Sequence, residues 1–245
     1  MSRLLQTAPL LLLALLLALP SPAFGQGDES EEGAEGDDDD SAASDEPPPM
    51  SRKLKKALKQ VQKKEWALAS LALDKVLDDE DDAYYHTNVR FYLAFCLEQM
   101  GLKYSALEEY NRYLLDATNE NELLAKGIER SVSLGRRMDA GWILAPGLAH
   151  LDTSMVSKGH QGPAMYWVGR WHYEQGNFLV ARAYLSLVPK ETEFYAQARM
   201  LEGITLTREG KPVDAVAPFT AALQASDPLA DDNMWEVANL NLGRA

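Results

Sequence analysis

The sequence has almost no cysteine and little histidine. Cys96 is the single cysteine among 245 residues, and the four histidines lie far apart. One cysteine excludes an internal disulfide, and the histidines lack the Cys/His spacing of a zinc site. The chain also lacks a glycine-rich phosphate loop and a serine-nucleophile elbow. These absences predict a protein without catalytic residues, cofactor or metal.

Two of these rare residues fall inside apolar helical patterns. Cys96 is surrounded by such a pattern, so we expect a buried thiol, with an exposed redox thiol as the alternative. We expect His172 to be a structural residue as well.

The first 25 residues have the pattern of a secretory signal peptide. Arg3 supplies a positive charge, an apolar run extends from Pro9 to Leu19, and Ala23 and Gly25 are small residues two positions apart. The run is too short to span a bilayer. We expect cleavage near residues 23–25, export, and no stable transmembrane segment afterwards. A retained anchor is the alternative.

Residues 26–50 form an acidic, proline-containing segment. They hold 11 of the 37 acidic residues, no basic residue and almost no apolar ones. Such a segment cannot bury enough surface to offset its ordering entropy, so we expect a disordered linker. The rest of the chain is nearly neutral although the net charge of the whole is −13. This distribution argues against a nucleic-acid partner.

Small residues recur at fixed spacing through the remaining chain. Ala106 and Ala140 lie 34 residues apart, and so do Ala181 and Ala215. The set Gly169, Gly176 and Ala181 is repeated with the same spacing by Gly203, Gly210 and Ala215. A period of 34 residues is typical of stacked pairs of helices.

This pattern resembles the tetratricopeptide repeat family. A small residue lies on the first helix, a glycine at the turn, an alanine on the second helix, and an aromatic residue four positions later. The resemblance covers residues 51–245 and is strongest for the units near 87–118, 165–185 and 200–222. It implies an all-α fold, a right-handed α-solenoid of antiparallel helix pairs, with about five units and a terminal helix.

Two units are degenerate. In the first, an apolar stripe at Leu54, Ala57, Leu58 and Val61 predicts a helix, and a second helix follows it. The third keeps Gly135 and places Ala140 on its second helix, which Pro146 should kink or end. We further expect a surface loop over Ser157–Pro163 and a kink at Pro218.

The last segment, Met234–Arg244, resembles another first helix. Its apolar residues include Trp235, Leu240 and Leu242, and Gly243 stands where the helix-crossing glycine belongs. Because a capping helix should have a polar outer face, we expect a partner, more chain, or self-association through this helix to cover it. A competent cap is the alternative.

The resemblance also implies where a partner would bind. In the family, ligands lie against outward positions of the first helices, and these positions combine aromatic and polar side chains here. Partner-binding candidates are Phe91, Phe95, Glu98, Gln99, Tyr166, Arg170, Tyr173, Glu174, Gln197, Met200, Thr207 and Arg208. The other interpretation is that several of the aromatic side chains only pack between repeats.

A second surface surrounds the first apolar stripe with positive charge. Its basic residues are Arg52, Lys53, Lys55, Lys56, Lys59, Lys63 and Lys64. They would suit anionic lipid, polysaccharide or the acidic segment of the chain itself. An ordinary solvated helix face explains them equally well.

These features predict an exported, non-enzymatic scaffold that binds a peptide or helix of a protein partner. The family resemblance implies a bacterial envelope complex and the periplasm, with secretion as the alternative. Two other readings remain open: a helical arm of a larger envelope enzyme, and a regulator gated by its acidic segment.

Overall fold

The structure, a computed structural model, describes residues 47–226 and 232–243, without the side chains of 232–235. The predicted signal peptide, most of the acidic linker and the Trp235 side chain lie outside this part. Within it the chain is all-helical and contains no strand, which confirms the predicted all-α class. The helices are α1 Arg52–Gln62, α2 Trp66–Leu77, α3 His86–Gln99, α4 Lys103–Asp116, α5 Leu124–Met138, α6 Ala145–Leu148, α7 Lys158–Glu174, α8 Phe178–Ser186, α9 Tyr195–Arg208, α10 Pro212–Ala225 and α11 Asp232–Leu242.

Five helices end in the same turn. One residue after each helix has a positive φ, and these residues are Lys64, Gly101, Asp139, Gly176 and Gly210. In every case its N–H donates to the carbonyl three residues back, and the next N–H donates to the carbonyl five residues back. This is the Schellman arrangement, which satisfies the free carbonyls of a helix end. The five turns follow α1, α3, α5, α7 and α9 and reverse the chain each time.

Small residues allow the paired helices to approach closely. A Cβ on Gly169 would lie 2.7 Å from Cγ of Leu185 on the next helix. A Cβ on Gly203 would lie 2.6 Å from Cε1 of Phe219, which is also 16 residues further along the chain. Both predicted crossing glycines are therefore confirmed as close-contact positions.

Helices pack mainly against their neighbours in the chain. The pairs α1–α2, α3–α4, α7–α8 and α9–α10 are in contact, and α2, α4 and α8 each contact the next first helix. In addition α5 packs against α7, and α7 against α9. The helices α5, α7 and α9 therefore follow one another across one face.

The stripe on α1 is buried as predicted. Leu54, Ala57 and Val61 are buried, and Leu58 packs partly buried against the same cluster. The helix begins at Ser51, whose hydroxyl accepts from the Leu54 N–H at 3.1 Å. The same serine is bound by Asp82, which is fully buried.

The third unit differs from the prediction in its second half. Ala140 does not lie on a second helix, because it directly follows the turn at Asp139. A 3-10 segment, Gly141–Leu144, and the single turn of α6 take the place of a full helix. Pro146 occupies the first turn of α6, where a proline costs no hydrogen bond. Gly141 lies against the Trp167 ring, so no larger side chain fits there.

One expectation about a loop is also corrected. The predicted loop Ser157–Pro163 is wrong, since α7 starts at Lys158 and includes Pro163. Pro163 is the sixth residue of α7, so the helix continues past it without the hydrogen bond that an N–H at this position would donate. The helix α10 continues through Pro218, which is buried, to Ala225.

The terminal segment is helical, as predicted. The buried Ala238 of α11 packs with the cluster of α9 and α10, and Leu242 lies partly buried against it. Leu240 is 58% exposed. Gly243 follows the helix and has nothing nearer to its Cβ position than the carbonyl oxygen of Asn239, at 3.6 Å. Among the described helices, none has the length and apolar character needed to cross a membrane.

Candidate functional site

A groove between α7 and α9 gathers half of the predicted binding residues. We call it the aromatic groove, and its volume is about 370 Å³. It is lined by Tyr166, Arg170, Tyr173, Glu174, Gln197, Met200, Leu201 and Ile204. The first six of these were predicted from the sequence. They meet because α7 and α9 lie side by side. Tyr166 and Met200 each lie ten residues before the turns at Gly176 and Gly210, and Arg170 and Ile204 each lie six before them.

Tyr166 forms a fixed wall of the aromatic groove. Its ring stacks on Phe194, with 5.1 Å between ring centres and 29° between ring planes. Burial raises the pKa of its hydroxyl above the usual value. The phenol therefore stays protonated near neutral pH and can donate a hydrogen bond at the groove.

The opposite end of the groove is partly cationic. The guanidinium of Arg208 on α9 lies 5.1 Å from the ring centre of Tyr173 on α7, within cation–π range. Arg170 donates to Glu174 at 2.9 Å, one helical turn away, and both side chains are about half exposed. An exposed pair of this kind is worth less than about 1 kcal/mol, so a ligand can displace it at little cost.

The remaining predicted residue of α9 has its hydroxyl engaged. Thr207 is exposed, but its hydroxyl donates to the carbonyl of Gly203 at 3.0 Å. A side-chain bond to the preceding turn is common for threonine within a helix.

Two aromatic residues of α3 are core residues rather than outward ones. The outward position predicted for Phe91 is wrong, because the side chain is 1% exposed and its ring lies 5.6 Å from Tyr113. Phe95 is 6% exposed, edge-on to Trp66 and covered by the guanidinium of Arg130 at 4.5 Å. Phe91 belongs to the cluster that joins α3 with α4 and α5, and Phe95 belongs to the one that joins α1, α2 and α3.

Glu98 belongs to a polar network between α3, α4 and α5. Tyr110 donates to its carboxylate at 3.0 Å, Arg130 donates at 3.0 Å, and Arg137 donates at 3.1 Å. Burial raises the pKa of Tyr110 far above its usual value, and the nearby Glu98 charge raises it further. The network leaves little free capacity on Glu98. Gln99, one residue on, is exposed.

A second groove was missed by the sequence reasoning. It lies against the end of α5, has a volume of about 400 Å³, and is lined by Ser133, Arg136, Arg137 and Glu193. We call it the arginine groove. Counting back from Asp139 puts its α5 residues at the positions that Arg170, Tyr173 and Glu174 occupy before Gly176. The same count from the turn residue would have identified these three residues. It was not made, because the turn residue of the third unit is Asp139 and not the glycine of the regular units.

The two grooves share a wall. Arg136 donates to Glu193 at 2.8 Å in the arginine groove, and the next residue, Phe194, stacks on Tyr166 of the aromatic groove. Ser133 is hydrogen-bonded to His160 of α7 at 3.0 Å. The grooves therefore border each other across α5, α7 and the start of α9.

The rare residues take structural positions. Cys96 is fully buried, as predicted, and burial raises the pKa of its thiol to about 12. His172 packs as expected, with its ring stacked 5.7 Å from Tyr184. Residues 47–226 and 232–243 contain no group of three or more His, Cys, Asp or Glu side chains placed to hold a metal ion.

The aromatic and arginine grooves thus offer aromatic faces and guanidinium groups, most of which are paired within the protein. No protein-family model matches the chain, and no curated protein matches it either.

Proposed function

We propose that this protein is an exported, non-enzymatic scaffold of the tetratricopeptide type that binds a peptide or helix of a protein partner. In this proposal the helix pairs stack as a right-handed α-solenoid. Five equivalent turns and the packing of α5, α7 and α9 in sequence support that arrangement. Units that contact only their neighbours are the general feature of such stacks.

The aromatic groove is the single observation that carries the binding role. Aromatic and arginine side chains are the residue types that anchor protein interfaces most often. Tyr166 is held in place by Phe194, so it needs little ordering when a ligand arrives. The Arg170–Glu174 pair is exposed and exchangeable. A groove of this form is suited to one apolar side chain and the backbone around it.

The place of action follows from the sequence alone. A signal-like start supports export, and the family resemblance supports the periplasm and an envelope complex. The partner is a protein in this proposal, because the helical part of the chain is nearly neutral overall, which argues against a nucleic acid.

A paired capture experiment tests the binding role. Tyr173→Ala with Arg170→Ala should weaken partner capture from envelope extracts by about 2 kcal/mol or more, because both groove anchors are lost. The matched control is Tyr104→Ala with Arg112→Ala on α4. Tyr104 and Arg112 are exposed, and Arg112 also pairs with a glutamate on its own helix.

The control should capture normally, and both double variants should keep the helical circular dichroism of the parent. Full capture by the groove variant would place binding elsewhere, and unfolding of it alone would make the two residues structural. The captured chain should begin after residues 23–25, and an intact Met1 in soluble cytoplasm would contradict export.

A further inference from the structure

The arginine groove is cationic, and one of its two paired carboxylates, that of Glu193, is exposed. Arg136 pairs with Glu193, whose side chain is 56% exposed. Arg137 pairs with Glu98, which already accepts from Arg130 and Tyr110. Three guanidinium groups therefore share two carboxylates here.

Glu193 stands where a ligand carboxylate would bind. It reaches Arg136 from the segment that precedes α9, and its neighbour Phe194 is held by Tyr166. An incoming carboxylate can replace it and keep the charge-assisted bond to Arg136. A cationic ligand side chain would be repelled at this position. An apolar one would bury the guanidinium group without a partner, which is costly.

From this arrangement we propose that the two grooves bind one extended peptide that places an acidic side chain in the arginine groove and an apolar side chain in the aromatic groove. Packed helices lie about 8–10 Å apart, and an extended chain advances about 3.3 Å per residue. The two side chains should therefore be separated by roughly two to three positions. This inference rests on the proposed peptide-binding function and specifies which side chains the bound peptide carries.

The test begins with selection from a display library of random 12-residue peptides on the full chain. The expected result is enrichment of peptides with Asp or Glu at a fixed distance of this order from Leu, Phe, Tyr or Trp. The best peptide is then synthesised twice, with its acidic residue and with the matching amide. Both forms are titrated by fluorescence anisotropy against the parent and its variants.

Three variants separate the groups involved. Arg136→Gln should weaken binding of the acidic peptide about tenfold and leave the amide peptide unchanged, because a charge-assisted bond is lost. Glu193→Gln should tighten the acidic peptide by about two- to fivefold, since the internal competitor is removed. Arg112→Gln, on exposed α4 surface, should change neither. Thermal melts confirm that the three variants remain folded.

The outcomes show whether the acidic requirement fails alone or together with the proposed peptide-binding function. If the parent enriches apolar peptides without acidic residues, or if Arg136→Gln weakens both peptide forms equally, the acidic requirement is wrong while peptide binding stands. If no peptide is enriched, both the inference and the proposed function fail. If Glu193→Gln weakens the acidic peptide, Glu193 is a ligand contact and not a competitor, which also overturns the proposal.

Discussion

Single glycines set how closely the paired helices approach. Gly169 and Gly159 lie on the same helix, α7, but in different surroundings. The first faces Leu185 on α8 and the carbonyl of Ala181, whereas the second has only the Ser157 hydroxyl within 4 Å, at 3.8 Å. Comparing the same Gly→Ala change at the two positions therefore separates the effect of helix propensity from that of packing against α8.

Gly169→Ala should lower the free energy of unfolding by about 1–3 kcal/mol, because its Cβ would lie 3.2 Å from backbone as well as against Leu185. Gly159→Ala should change it by less than about 0.5 kcal/mol. Urea unfolding followed by circular dichroism measures both. Equal effects would show that the α7–α8 contact is not tight.

Burial also controls the protonation of His172. Its ring is flanked by Trp171 and Tyr184, its Nδ1 is buried without a hydrogen-bond partner, and desolvation lowers its pKa. Below the ordinary histidine pKa of about 6.5 the unfolded chain binds the proton more readily than the folded one. The stabilising effect of the neutral ring is therefore present above that pH and lost as the pH falls.

We expect the stability advantage of the parent over His172→Phe to decrease between pH 7.5 and pH 5.5. Urea unfolding at a series of pH values measures it. His150→Phe, the same replacement at an exposed position, is the control. A difference that is constant with pH would mean that His172 is equally solvated in both states.

At the scale of helices and turns, one backbone conformation recurs with different residues. Three of the five turns use glycine at the left-handed position, but Lys64 has φ 61° and Asp139 has φ 50°. The left-handed conformation costs a residue with a Cβ about 1–2 kcal/mol, and it costs glycine almost nothing. The same turn geometry therefore forms with glycine, lysine or aspartate, and the residue type changes only the conformational free energy of the turn.

Lys64→Gly should raise the free energy of unfolding by about 0.5–1 kcal/mol, since the relieved strain exceeds the added flexibility of the unfolded chain. Lys63→Gly, one position earlier at φ −76°, should lower it by about 0.5–1 kcal/mol. Denaturant unfolding of the two variants measures both changes. A loss of stability in both would show that the lysine side chain itself stabilises this turn.

For the whole molecule, the core is divided along the chain. One cluster joins α1, α2 and α3, a large one spans α3 to α7, and another joins α9, α10 and α11. In a stack with contacts only between neighbours, damage to one end should remain local.

Leu73→Ala should destabilise the first unit by about 2–5 kcal/mol, because Leu73 is fully buried among α1 and α3 residues. Hydrogen exchange should become faster in α1, α2 and α3 but stay unchanged in α9 and α10. Leu71→Ala, on the same helix but exposed, is the control. Faster exchange over all helices would indicate a single cooperative core and argue against a solenoid.

Local spacing was enough to predict the elements and part of the site. The stripe of Leu54, Ala57 and Val61 lies buried as its period indicates, and Gly176 and Gly210 occupy the turns. The residues of the aromatic groove were predicted because the fourth and fifth units keep their regular length. Helix periodicity and the need for glycine at positive φ act within a few residues, so a sequence alone expresses them.

Contacts between distant residues decided the rest. Phe91 and Tyr166 each lie ten residues before a left-handed turn residue, yet the first is buried against Tyr113 and the second borders a groove. The arginine groove exists because Arg136 meets Glu193, which is 57 residues away. Local patterns were enough to predict most helices, the glycine turns and the glycines at which helices approach, but not the start of α7 or the second half of the third unit. Only the tertiary structure decided which helix faces are covered, because burial depends on the size and placement of the neighbouring helices, which no local pattern contains.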